Sequence, residues 1–237
     1  MLSRTQTDNL FEPYGIKLTD SMYERLSVYA HMLTERNKVM NLTAITDDMG
    51  IAEKHFFDSI YPFTLFVPDK GSRLIDVGTG AGFPAGPLKI FRDDLDITLL
   101  DSLNKRVGFL KEVSDAAGLG AKCIHGRAED LGKDIAYRES FDIATARAVS
   151  NLTALSEYCL PLVRIGGYFV SLKGSAGGEE LRAAEKSIKV LGGSVEKTLR
   201  YTLPSGDGRT LIIIKKTAPT PAVYPRNAGQ IKRSAPV

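Results

Sequence analysis

Apolar residues at Met22, Leu26, Tyr29, Leu33 and Met40 recur at the spacing of one helical face, with polar residues filling the positions between them. The spacing predicts an amphipathic helix over residues 20–38, with Ser21 and Glu24 able to form a capping box at its start. A second helix is predicted over 48–61, where Ile51, Phe56 and Ile60 recur at near-helical intervals before Pro62 and Pro68 interrupt. Together these helices make an N-terminal cap, residues 1–72. From Arg73 the period shortens. Apolar runs at 73–77, 96–100, 122–125, 141–145 and 167–172 alternate with helical stretches at 84–92, 103–117, 151–161 and 177–191. That is a βαβ series, which predicts right-handed crossovers between parallel strands. Residues 195–203 and 210–216 are two further strands. The segment joining them, 204–209, is too short for a helix, so they pair as a hairpin. The expected fold is α/β: a Rossmann-like, mainly parallel seven-stranded sheet over residues 73–217 that ends in a β-hairpin. The Pro-rich stretch 218–225 reads as an extended linker into a basic tail, the two together forming a third unit, 218–237, that packs near the active site.

Composition narrows the class. With 43% hydrophobic and 25% charged residues the chain can bury one substantial core, which argues against disorder. No apolar run approaches the roughly 20 residues that cross a bilayer, and the first residues hold no secretory apolar stretch, so the expectation is a cytoplasmic protein without a membrane partner. Cys123 and Cys159 lie far apart and outside any metal-binding spacing; both read as core residues, and no metal is expected. The net charge of +3 is small but unevenly placed. Residues 1–72 hold 7 Lys/Arg against 10 Asp/Glu, whereas 197–237 hold 8 against 1. The basic end is either a phosphate-contacting surface or a solvated tail.

The segment Asp76 to Gly82 follows a strand and precedes a helix, so Gly78, Gly80 and Gly82 can let the backbone turn sharply and approach a ligand. Gly80, Gly82 and Ala85 also satisfy the dinucleotide pattern G-x-G-x-x-G/A. Two details favour a methyl donor, S-adenosylmethionine. Asp76 stands two residues before the first glycine, where it can face the donor's ammonium directly or through water. Phe83 is too bulky for a loop that cradles a pyrophosphate. Asp101, at the end of the second strand, lies about 20 residues past the glycines, where a carboxylate meets ribose hydroxyls. The alternative for Asp101 is an N-cap for the segment starting at Ser102. Ser102 and Leu103 are counted with it in the donor pocket. Ala128 offers a backbone N–H and Glu129 a carboxylate, both suited to an adenine edge, although Glu129 can equally be a first-turn helix acid.

Arg147 falls at the carboxyl end of the fourth strand, where ligands gather in open parallel sheets. The Asn/Asp-Pro-Pro-aromatic motif of adenine amine methylation is absent, and neither cysteine lies at a strand-end loop as pyrimidine C5 chemistry needs. An acceptor with its own lone pair, such as guanine N7, needs no general base. Arg147 can donate to guanine O6, to a phosphate or to the donor's carboxylate, or it can be a structural arginine. His31, His55 and His125 share no spacing. His55 and Asp58 are neighbours on one helical face, a local hydrogen bond more readily than a dyad.

The sheet pattern matches class I S-adenosylmethionine-dependent methyltransferases, and the motifs together resemble the RsmG (GidB) family, the guanine-N7 methyltransferases of 16S ribosomal RNA. The resemblance covers most of the chain. It rests on Asn37-Lys-Val-Met-Asn-Leu-Thr43, Lys54-His-Phe-Phe-Asp-Ser59, Asp76-Val-Gly-Thr-Gly-Ala-Gly-Phe-Pro84 and Leu100-Asp-Ser-Leu-Asn-Lys-Arg106. Gly126-Arg-Ala-Glu129, Thr145-Ala-Arg-Ala148, Leu172-Lys-Gly174 and Tyr224-Pro-Arg226 continue it. It implies that Gly78, Phe83, Ala128, Glu129 and Arg147 contact the donor and that Lys173 and Arg226 lie near RNA. The substrate is then 16S ribosomal RNA or a small-subunit assembly intermediate, and the enzyme a monomer. The chain departs from the family at Ala85-Gly86 and at Asn227. A small-molecule methyltransferase and a noncatalytic RNA-binding module are the rival readings. The basic tail argues against the first, and the retained Asp76, Asp101 and Glu129 against the second.

Overall fold

The computed structural model describes residues 2–147 and 150–236. Ala148 of the fourth-strand motif lies outside the described residues. The chain opens with a helix the periodicity did not predict, α1 (Arg4–Phe11), whose Ser3 and Gln6 form a capping box. The long helix α2 (Asp20–Met40) buries Leu26, Tyr29 and Leu33 as expected, with Met22 and Met40 half-buried. Its cap is not Ser21. Thr19 accepts from the Met22 N–H at 3.2 Å, so the helix begins at Asp20, as expected, and places that residue in its first turn, where the helix dipole favours a carboxylate.

The expected helix over 48–61 is α-helical only at its ends, α3 (Asp48–Gly50) and α4 (Asp58–Ile60). Between them Ile51–Phe57 is π-helical, and the Asp58 N–H bonds Glu53 O five residues back. Every side chain of this segment but that of Lys54 is buried, Glu53 and His55 included, so no single apolar stripe marks its winding. Pro62 does not interrupt; it takes the first position of α5 (Pro62–Leu65), where a missing N–H costs nothing.

Seven strands follow: β1 (Arg73–Val77), β2 (Asp96–Asp101), β3 (Lys122–His125), β4 (Phe141–Arg147), β5 (Val163–Gly174), β6 (Gly193–Thr202) and β7 (Gly208–Lys216). Their order in the sheet is β3-β2-β1-β4-β5-β7-β6. The first five are parallel, and β7 is antiparallel to both its neighbours. This is the mainly parallel sheet with one reversed strand that the sequence predicts. Strand β5 starts earlier than expected and shifts register against β4, where Gly166 adopts φ +85°. The connecting helices are α6 (Ala85–Phe91), α7 (Asn104–Ala116), α8 (Ala128–Leu131), α9 (Leu152–Cys159) and α10 (Gly177–Val190).

Residues 218–225 are not a free linker. Thr220 and Tyr224 are buried, and Arg138 donates to the carbonyls of Gly132, Thr220 and Tyr224 at 2.7–2.8 Å. Buried Lys216 ties the same segment down through Thr220 Oγ1 at 2.7 Å and Glu139 at 3.0 Å. The chain then forms α11 (Ala228–Arg233), capped by Asn227. Among the described residues no helix is long and apolar enough to cross a membrane.

Candidate functional site

Between β1 and α6 the chain must reverse within a few residues, and Gly78, Gly80 and Gly82 take φ of +68°, +63° and +98° to do so. Asp76 braces this loop from inside. Fully buried, it accepts from Thr79 Oγ1 at 2.6 Å and from the Ala85 N–H at 3.1 Å through one oxygen, while Oδ1 has no partner. Burial pushes its carboxyl up to about 6 against the bonds from Thr79 and Ala85. Tyr29 supports the loop from the cap, donating to Ala81 O at 2.6 Å. A Cβ on Gly82 or Gly86 would stand 2.0 or 2.7 Å from the tyrosine oxygen, so Gly86, one of the departures from the family pattern, makes room for Tyr29.

At the carboxyl ends of β1, β2 and β3 lies a cavity of about 270 Å³. Of the predicted donor residues it brings together Gly78, Asp101, Ser102, Ala128 and Glu129, and it adds Tyr158 and, from α11, Lys232. Asp101 is not the N-cap of the next helix, whose cap position is Leu103 without a side-chain cap. Its oxygens accept from the Gly80 and Leu103 N–H groups, each at 2.9 Å, which fixes the turn into α7, and its side chain still faces the cavity. Glu129, 7% exposed, stands in the first turn of α8. Asp76, Gly80, Gly82, Phe83 and Leu103 do not line this space. Leu103 is half exposed and contributes its N–H to Asp101.

A second cavity, of about 510 Å³, opens at the ends of β4 and β5 and shares Ser150 with the first. Arg147 lines it together with Lys54, His55, Asp58, Lys173 and Arg209. Arg147 donates to Lys54 O at 3.1 Å and lies over the Phe83 ring, 5.2 Å from its centroid. Phe83 stacks on His55 (4.4 Å, 6°) and on Tyr29 (5.6 Å, 16°), so the bulky residue of the glycine loop packs behind the second cavity, through His55, instead of lining the first. His55 and Asp58 are not bonded to each other. The π-helical turn sends His55 Nε2 to Thr43 Oγ1 at 2.8 Å, while Asp58 accepts from Arg209 at 2.9 Å and Tyr201 at 3.1 Å, with Arg147 at 3.7 Å. Sequence reasoning missed Arg209 and Tyr201, whose contact with Asp58 follows from their cross-strand pairing on β6 and β7.

The two predicted RNA ligands are otherwise engaged. Lys173, 7% exposed, donates to Ser150 O at 2.5 Å and pairs with Glu180 at 2.9 Å, pinning the loop after β4. Arg226 lies away from both cavities and forks onto Glu157 at 2.7–2.9 Å.

Burial, and secondarily the Arg147 cation, depress His55 to about 3, against 6.5 for a free histidine. The imidazole is therefore neutral at pH 7. Between pH 3 and 6.5 the unfolded chain binds a proton that the folded chain refuses, so this contribution to stability is complete above 6.5 and is lost as pH falls, by about 1.4 kcal/mol per unit. Denaturation curves at pH 7, 5.5 and 4.5 should show a shallower acid decline in His55→Gln than in the native protein; equal declines would contradict a neutral buried imidazole.

The family described as rRNA small subunit methyltransferase G (GidB) matches residues 22–205. The chain is 47% identical over 224 residues to the ribosomal RNA small subunit methyltransferase G of Lactobacillus acidophilus, with 93% of each chain covered. It is 45% identical over 222 residues to that of Clostridium botulinum, again covering 93% of each. Solved structures with the same fold include TrmN from Thermus thermophilus (TM-score 0.53, 18% identity, 70% of this chain and 53% of that one). Another is a TehB-like SAM-dependent methyltransferase from Corynebacterium glutamicum (TM-score 0.50, 18% identity, 79% and 99%).

Proposed function

Because the chain belongs to the GidB family of small-subunit ribosomal RNA methyltransferases, we propose that it methylates guanine N7 in 16S ribosomal RNA with S-adenosylmethionine as donor. The observation that carries the reading is the pair of cavities meeting at Ser150: one holds Asp101 and Glu129 at the ends of the first three strands, with Arg127 and Lys232 at its rim, and the other is rich in cations, Lys54, Arg147, Lys173 and Arg209 against Asp58 and Glu180. The first suits a nucleoside-bearing donor. Asp101 is positioned for ribose hydroxyls and Glu129, with the Ala128 N–H, for the adenine edge. Asp76 is buried behind the glycine loop and does not line the cavity, so its unpartnered Oδ1 suits an ammonium reached through water and not directly.

When bound, S-adenosylmethionine supplies an electrophilic methyl group, and guanine N7 can take it with its own lone pair, so no proton need leave first. The acceptor cavity agrees with chemistry that needs no base. His55 is neutral but tied to Thr43, and Asp58 is engaged by Arg209, Tyr201 and Arg147. Arg147 is left to donate to guanine O6, leaving the N7 lone pair free to attack, and Phe83 with His55 forms an aromatic wall beside it. Rate enhancement then comes chiefly from holding the two reactants in line, an effect worth an effective molarity of ~10⁵ M or more. The reading takes the enzyme to work in the cytoplasm as a monomer, without a metal, on an RNA or assembly intermediate whose target base is unstacked.

Incubating the protein with labelled donor and under-methylated small-subunit RNA, then mapping N7-methylguanine by chemical cleavage, tests both acceptor and atom. Label at one guanine is expected. Label absent from RNA, with donor binding intact by calorimetry, would turn the assignment to a small-molecule acceptor. A rate profile with a steep bell near pH 7 that RNA and donor binding do not explain would refute the absence of a base.

A further inference from the structure

Next to the acceptor cavity, and separated from it by Arg209, runs a groove of about 340 Å³ that no step of the methyl transfer uses. Ser175, Arg200, Tyr201, Arg209 and Thr210 line it. Thr210 is 1% exposed, yet its hydroxyl has no hydrogen-bond partner. A buried hydroxyl left unpaired is costly, and its persistence at a groove wall marks a place where something polar belongs.

The amino end of α10, a helix of 14 residues, meets Thr210 at that wall. A Cβ on Gly177 would stand 3.0 Å from Thr210 Oγ1 and 2.7 Å from its Cβ, so only glycine admits this approach. The helix has no side-chain cap, and the N–H groups of Gly177 and Gly178 find no acceptor among the described residues. Arg200 completes the arrangement. Its guanidinium lies 3.3 Å from where a Gly178 Cβ would be, and it is exposed without any ion pair among the described residues. A cation held beside the positive end of a helix is poorly placed unless an anion joins them. The nearby carboxylates do not bridge them: of the two acids in the first turn of α10, Glu180 pairs with Lys173 at 2.9 Å and Glu179 makes no ion pair with Arg200, while Asp207 pairs with Lys54 at 2.9 Å.

The geometry points to a phosphate site for the RNA backbone, formed by Arg200, the Thr210 hydroxyl and the first N–H groups of α10, that holds a phosphodiester close to the target guanine. It rests on the ribosomal RNA reading above and deepens it: Lys173 and Arg226 are internally paired, so the backbone is gripped on the β6–β7 side instead.

Binding of under-methylated small-subunit RNA, measured by filter retention between about 50 and 200 mM salt, tests the site. Arg200→Gln should weaken binding several-fold and flatten the slope of log K against log salt by about 0.7 to 1, with donor affinity by calorimetry unchanged. Thr210→Val should also weaken RNA binding while leaving the melting temperature equal or higher, because it removes an unsatisfied hydroxyl. Wild-type affinity and slope in Arg200→Gln would overturn the site. So would loss of melting temperature and donor affinity together in Thr210→Val, which would mark a structural role. Native protein with no salt-dependent RNA binding would instead overturn the ribosomal RNA reading itself.

Discussion

Replacing Arg147 by methionine should slow methyl transfer by about 10²–10³-fold, the usual loss when a preorganised donor is removed from a water-poor site. The side chain lies at the end of β4 with 15% of its surface exposed, fixed by Lys54 O and by the Phe83 ring. Desolvation lowers its pKa, yet the Asp58 and Asp76 carboxylates act against that, so the guanidinium stays charged. The fold should survive the change, because Asp58 keeps Arg209 and Tyr201. Arg147→Lys should lose most of the same rate: it restores charge without the planar guanidinium that lies over the Phe83 ring and bonds Lys54 O while a further N–H is aimed at guanine O6. Calorimetry separates the roles left open by the sequence. Arg147 lines the acceptor cavity and not the donor cavity, so donor affinity should be nearly unaltered. A fall in donor affinity matching the fall in rate would assign Arg147 to the donor's carboxylate and refute the acceptor role.

That Arg147 lines the second cavity and not the first was not legible in the sequence, although its place at a strand end was. Periodicity located all seven strands because buried parallel strands are short apolar runs bounded by turns, and the glycine loop declares itself by composition. The positions of Asp101 and Glu129 relative to those strands placed them at one cavity. What stayed hidden depends on partners distant in the chain. Phe83 reads locally as an obstacle to pyrophosphate, but its contacts come from Tyr29 on α2 and His55 on the π-helical turn. In the sequence Asp58 faces His55 three residues away, but one inserted backbone register turns the two apart and cross-strand neighbours Tyr201 and Arg209 claim the carboxylate. The tail shows the same limit. A run of cations without acids looks solvated, and nothing local reveals that Arg226 meets a glutamate on α9, 69 positions earlier.

Arg226→Met should therefore cost about 3–5 kcal/mol of stability, the range for breaking a buried pair from one side. Glu157 is 0% exposed and accepts three bonds from Arg226: from its backbone N–H at 2.8 Å, from Nε at 2.9 Å and from Nη2 at 2.7 Å. Removing the guanidinium leaves the carboxylate buried with one of these. Arg226→Met with Glu157→Gln should recover part of the loss, since the uncompensated charge goes with its partner; urea denaturation of the single and double variants measures the difference. Four of the five guanidinium N–H groups are committed, two to Glu157 and two to Ser234, which leaves little for a phosphate. The salt slope of RNA binding should then match that of the native protein at temperatures where the variant is folded. A slope reduced by about one, with stability intact, would make Arg226 the RNA ligand that the family resemblance implies and would refute its part as the tail's anchor.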